Sequence, residues 1–211
     1  MLLTALALLW ALYYGLHSLL ATNAAKAWAA RRWVAAPRFY RLAYNQLSVW
    51  GFLVLWHWQE RLAGPPVARP AWLAGVGAVL AAGGLGLAVA ALRGYDLGEF
   101  AGWKYVRRAV LPAAPLRTAG LNAYVRHPLY LGVLVLLAGA WLVAPTAPRA
   151  VFGLLTWGYV LAGRRLEEQK LLAVFGPAYR AYQLRVPALW PRWPDWTEKN
   201  SPTGPDNGAK A

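Results

Sequence analysis

Residues 71–92 read AWLAGVGAVLAAGGLGLAVAAL, a run without a single charged side chain. A helix needs about 20 such residues to cross the ~30 Å hydrocarbon core of a bilayer. This stretch therefore decides the fold class, an all-α integral membrane protein. Gly75, Gly77, Gly83, Gly84 and Gly86 stand among its alanines. Small side chains let helix backbones approach closely. They serve helix packing, or they leave a slot along which the edge of a lipid or cofactor passes.

Working outward, four more apolar segments cover residues 2–20, 42–58, 128–144 and 150–163. The first has the length of a signal peptide but lacks a basic leader and carries Tyr13, Tyr14 and His17. The linker at 145–148, Pro-Thr-Ala-Pro, is too short for a domain, so the last two segments form a helical hairpin. Beyond Glu167 an amphipathic pattern runs to Phe175. Gly176-Pro177 breaks it, and a second short helix carries Tyr179 and Tyr182. The expected architecture is about five transmembrane helices with a C-terminal cytoplasmic amphipathic helix. Residues 1–93 make a three-span bundle, 94–199 a second part (connector, two-span hairpin, C-terminal helix), and 200–211 a polar tail expected to be disordered.

Composition agrees. Hydrophobic residues make up 59% of the chain and the mean hydropathy is +0.33. A soluble domain is usually about 45–50% apolar. The 13 tryptophans suit an interfacial belt. There is no cysteine, which excludes disulfides, thiolate metal sites and a cysteine nucleophile. His17, His57 and His127 are too scattered for a metal site, so none is expected.

The net charge of +14 does not point to nucleic acid, because the basic residues sit at the edges of the apolar runs. Five follow the first segment, six the third and eight the fifth, against Arg61, Arg69 and Arg149 on the other side. By the positive-inside rule this places the N-terminus outside and the C-terminus in the cytoplasm. A bacterial or archaeal inner membrane is the expected location, with membrane lipids as partners.

Chemistry gathers at the cytoplasmic ends of the hairpin. Arg126-His127-Pro128-Leu129-Tyr130 opens the fourth segment and Glu167-Glu168 follows the fifth. Pro128 suits the first helical position, where its missing N–H costs nothing. That puts His127 at the N-cap, beside free backbone donors and the positive end of the helix dipole. Arg164 shares a helix face with Glu167 and Glu168. An anion-binding end (Arg126, His127) then faces a carboxylate end (Glu167), an arrangement that would hold an amino acid zwitterion. Glu168 is expected to pair with Arg164 or Arg165, or to face water. His17 and Ser18, with Tyr44, Asn45, Gln46 and Ser48, either border a substrate pocket or bond between helices.

These residues resemble a known family. The stretch 120–132, GLNAYVRHPLYLG, resembles the cofactor motif of integral-membrane isoprenylcysteine carboxyl methyltransferases and phospholipid methyltransferases. Glu167-Glu168 through Phe175-Gly176, Tyr179, Tyr182 and Val186-Pro187 is similar to their C-terminal motif. In the N-terminal half, His17-Ser18, Lys26, Phe39-Tyr40-Arg41, Tyr44-Asn45 and Ser48 resemble the NnrU-type branch, which includes methanethiol S-methyltransferases.

The resemblance implies an S-adenosyl-L-methionine-dependent methyltransferase (EC 2.1.1) acting at the cytoplasmic face on a small or lipophilic acceptor, whether a thiol, an isoprenylcysteine carboxylate or a lipid amine. It implies cofactor contacts at Leu116, Arg117, Asn122, His127, Pro128, Leu129, Tyr130 and Glu167, with Leu116 and Arg117 on a strand-like connector. Arg164, His127 and Tyr130 are the expected catalytic residues. His17, Tyr44, Asn45 and Arg164 are expected on the acceptor side. Two positions depart from the isoprenylcysteine enzymes. Asn122 stands where they carry Tyr, and Gly163 where they carry a substrate-side Arg, with Arg164 next to it. The alternative is a non-catalytic membrane scaffold or accessory protein that keeps the fold, and cofactor binding separates the two. A transporter would need polar residues at mid-membrane, and the fourth segment has none of note between Leu131 and Trp141.

Overall fold

The computed structural model describes residues 1–62, 64–65, 67–108 and 115–191. The regular structure of the described residues is all helical, without a strand: α1 (Leu2–Ala21), α2 (Asn23–Arg32), α3 (Ala36–Arg61), α4 (Trp72–Leu92), α5 (Leu97–Ala101), α6 (Trp103–Arg107), a 3-10 turn at Gly120–Ala123, α7 (Pro128–Val143), α8 (Ala147–Phe175) and α9 (Pro177–Arg185). The five apolar segments fall on the five long helices α1, α3, α4, α7 and α8. Of these, α1 and α4 are long and apolar enough to cross a membrane, and α7 is a shorter apolar helix. The tail at 200–211 lies outside the described residues.

Two expected boundaries move. The second segment lengthens into 26-residue α3, because Arg38 and Arg41 continue the helix beyond its apolar part. The fifth segment and the amphipathic stretch after it are one 29-residue helix. At 1.5 Å per residue that is about 44 Å, longer than a bilayer core. Glu167 and Glu168 thus stand on a continuation of the same rod, and their position is fixed by the helix rather than by a loop. The helix stops at Gly176, whose φ of 53° and ψ of −125° suit glycine alone. The strand-like connector expected at Leu116 and Arg117 has no regular structure.

The small-residue face of α4 packs against α7. A methyl group on Gly77 would meet Leu142 Cβ at 2.7 Å, and one on Gly132 would meet the Ala88 nitrogen at 2.6 Å. Gly84 and Gly139 are equally closed by the backbones of Leu136 and Ala81. Residue 77 lies by 142 and residue 88 by 132, so the helices are antiparallel with their backbones in contact. The packing alternative accounts for these glycines. Gly75, Gly83 and Gly86 face open space.

A second bundle joins α1, α3 and α8. Leu6, Trp10 and Phe152 form its core, and the Trp10 indole donates to Gln59 Oε1 at 2.9 Å. At the same end Arg149 pairs with Glu60. The opposite end gathers the C-terminus of α1, the N-termini of α3 and α7, and the distal half of α8.

Candidate active site

Pro128 begins α7 and His127 is its N-cap, as the sequence indicates. The loop before it is tied down from three sides. Asn122 Nδ2 donates to the Arg126 carbonyl at 3.0 Å, while the Asn122 carbonyl accepts from the Tyr182 hydroxyl at 2.6 Å. The Arg126 and His127 amides donate to the carbonyls of Pro187 and Ala188 at 2.9 and 3.0 Å. Val125, Leu131, Leu134 and Leu189 close a small apolar core beneath.

Glu168 is the hub. Its Oε1 accepts from Arg126 Nε (3.0 Å), Arg126 Nη2 (2.6 Å) and His127 Nε2 (3.0 Å). The remaining Arg126 nitrogen, Nη1, donates to the carbonyls of Gln183 and Val186. Arg126 and Glu168 are only 10% and 14% exposed, so water screens the pair little. Two expectations change here. Glu168 has Arg126 and His127 as its close partners, with Arg164 at 3.9 Å. Arg126 and His127 are thereby taken up inside the protein, and the anion-binding end read from the sequence is not free. The signal for this was weak, because helical spacing cannot tell which of two adjacent glutamates turns inward.

Burial opposes the charge on Glu168, but its bonds from Arg126 and His127 outweigh burial and hold it below the ordinary carboxylate range. An ionised Glu168 only accepts, so His127 Nε2 carries the proton it donates. Nδ1 is then left as an acceptor, 3.8 Å from Glu167 Oε2. Burial lowers the His127 pKa, against the raising influence of Glu167 and Glu168. The ring is neutral at pH 7.

Glu167 is the opposite case. It is 42% exposed, and among the described residues no Lys or Arg pairs with it. Its one close bond comes from the Tyr130 hydroxyl, at 2.6 Å. Tyr130 stacks on His127 at 5.3 Å between ring centres. One turn before Glu167, Arg164 Nε is buried and has no hydrogen-bond partner. A carboxylate without a cation and a buried guanidinium with a spare donor thus face the same end of the hairpin. The uncompensated carboxylate with its tyrosine fits the positively charged end of an amino acid group such as S-adenosylmethionine carries.

The other expected residues divide. Pro128 is buried at the start of α7, and Leu129 follows it in the first turn. Leu116 is half-buried and Arg117 exposed; the Arg117 guanidinium lies over the Tyr95 ring at 5.9 Å. His17, Tyr44 and Asn45 do not touch the Glu167 cluster. His17 bonds to Ser48 (2.9 Å) and to the Tyr44 hydroxyl (2.7 Å), and Asn45 holds the Phe100 carbonyl. Tyr159 of α8 joins the His17 group: it stacks on Tyr14 at 4.5 Å, meets the His17 ring edge-on at 6.0 Å and accepts from Ser18. Sequence reasoning missed Tyr159, since one tyrosine in an apolar helix carries no motif.

No family profile matches the chain, and no solved structure matches it. Curated relatives do. The chain is 33% identical over 196 residues to methanethiol S-methyltransferase 2 of Bradyrhizobium diazoefficiens, covering 88% of this chain and 71% of that protein. It is 33% identical to the methanethiol S-methyltransferase of Pseudomonas deceptionensis, covering 83% of this chain and 67% of the relative. A shorter match of 34% identity over 80 residues is to the protein-S-isoprenylcysteine O-methyltransferase of Schizosaccharomyces pombe, covering 37% of this chain and 34% of that one.

Proposed function

The chain belongs to the family of the methanethiol S-methyltransferases, with isoprenylcysteine O-methyltransferases as relatives, and we propose that it is an S-adenosylmethionine-dependent membrane methyltransferase whose acceptor is a small thiol. The observation that carries this reading is Glu167, an uncompensated carboxylate fixed by Tyr130 one turn from the unbonded Arg164 Nε. The five long helices cross the membrane, with the N-terminus outside and the site at the cytoplasmic face of an inner membrane, following the basic residues.

When bound, S-adenosylmethionine supplies an electrophilic methyl group on a sulfonium. Glu167 would hold the ammonium of its amino acid end, and the Tyr130 ring face would favour the positive charge. Leu116, Arg117, Asn122, Pro128 and Leu129 would complete or support the cofactor's site. A thiol is nucleophilic as its thiolate. Arg164 favours that anion, and His127 Nδ1 is the acceptor available for the thiol proton. Orienting the acceptor against the bound cofactor would supply much of the remaining rate. His17 and Tyr44 form the acceptor-side wall behind Tyr159, and Asn45 holds α5 through the Phe100 carbonyl.

The test is transfer of a labelled methyl group from S-adenosylmethionine to methanethiol and longer alkanethiols by purified protein in nanodiscs. Thioether product, lost in Arg164→Gln, is expected. Cofactor binding without product from any thiol would remove the thiol assignment, and no binding at all would leave the scaffold.

A further inference from the structure

Away from the Glu167 cluster, two cavities adjoin at the cytoplasmic end of α1 and α3. One, about 350 Å³, is polar and basic, with Lys26 and Arg41 facing His17, Asn45 and Phe100. The other, about 490 Å³, is an apolar groove between Leu20, Trp33, Phe39, Ala43 and Leu47. Tyr40 and Tyr44 line both, so the two meet at this pair of side chains as an amphipathic recess. None of the residues that position Glu167 lines either part.

The charge of the recess is not balanced within the protein. Among the described residues Lys26 has no ion pair, and Arg41 reaches a carboxylate only at 3.9 Å, on Glu99. Asp96, the other acid of the adjacent loop, is occupied by Lys104 and by the Glu99 amide. Partial burial, then Arg41 and Lys170, hold the Lys26 ammonium below its ordinary value. Such a cluster is relieved by an anion. The groove beside it asks for an apolar chain, and Trp28 and Trp33, packed edge to face at 5.5 Å, mark the level where lipid headgroups sit.

We propose that this recess binds one anionic phospholipid of the cytoplasmic leaflet, its phosphate between Lys26 and Arg41 and an acyl chain in the groove at Trp33, Ala43 and Leu47. The site shares His17, Tyr44 and Asn45 with the proposed acceptor side but none of the residues that hold Glu167. It rests on the membrane-crossing reading of the helices but not on the acceptor. A lipid there braces α1 against α3 at the wall formed by His17 and Tyr44.

The experiment is native mass spectrometry of delipidated full-length protein titrated with phosphatidylglycerol or phosphatidylcholine. One phosphatidylglycerol should be retained at concentrations where phosphatidylcholine is not. A basic residue near a membrane surface contributes about fivefold to binding an anionic lipid. Lys26→Gln should weaken retention about that much and Lys26→Glu more. Ala43→Trp, which fills the groove, should weaken it too, while Arg32→Glu, outside the recess, should not. Equal retention of both lipids, or an unchanged preference in a folded Lys26→Gln protein, overturns the proposal. Displacement of the lipid by millimolar inorganic phosphate would also overturn it, making the recess a soluble-anion site. The readout is lipid retention, so its failure leaves the methyltransferase reading standing.

Discussion

Glu167 and Glu168 are adjacent in sequence and differ in what surrounds them. Glu168 lies among Arg126, His127 and Arg164, and Glu167 has the Tyr130 hydroxyl and an open side. Removing one member of a buried ion pair costs on the order of 3 kcal/mol, because the partner is left charged and unpaired. Glu168→Gln should therefore lower the melting temperature in detergent markedly. Glu167→Gln should leave melting unchanged and weaken S-adenosylmethionine binding about tenfold to a hundredfold, the worth of a charged hydrogen bond. Equal effects of the two on melting would contradict this division. The pH dependence follows from the same cluster. The folded pKa of His127 is depressed below 6.5, with Arg126, Tyr130, Glu167 and Glu168 facing it. The unfolded chain then takes up the proton first, so stability present above about pH 6.5 is lost as pH falls through the folded value. Glu168, also depressed, keeps its contribution until pH drops below about 4.5. Acid titration of melting should show two steps, and His127→Gln should abolish the upper one.

Among the elements, the α4–α7 pair shows what sequence could and could not specify. The glycine content of residues 71–92 announced close packing, but not which glycines or which partner. The structure separates them: Gly77 and Gly84 touch α7, while Gly75, Gly83 and Gly86 face open space. Gly84→Ala should destabilise by about 1–3 kcal/mol through overpacking against backbone that cannot yield. Gly83→Ala should be neutral or stabilising by up to about 1 kcal/mol, since alanine favours the helix. Melting of the two variants checks this, and equal behaviour would contradict the antiparallel contact. The ends of α7 and the helix break at Gly176 were legible, since Pro128 and Gly176-Pro177 are strong local signals. The continuity of α8 was not, because a polarity change at Arg164 ends an apolar run without ending a helix. The inward turn of Glu168 depends on the loop at 186–189 packing back on Arg126, a contact no local pattern announces.

For the whole molecule, most cationic side chains among the described residues lie at the end that carries the site, with Arg61, Arg69 and Arg149 at the other. The native chain has no cysteine, so single introduced cysteines report topology cleanly. A membrane-impermeant maleimide should label Arg69→Cys on intact cells and Arg185→Cys only after permeabilisation. Labelling of both from outside would break the five-span arrangement. The central claim is that the Glu167–Tyr130 corner holds S-adenosylmethionine. Calorimetry of the cofactor with purified wild type, Glu167→Gln and Tyr130→Phe tests it most directly. The account predicts saturable one-to-one binding by wild type, weakened in both variants while their melting stays close to wild type. Absent binding by well-folded wild type, or undiminished binding by both variants, would contradict it.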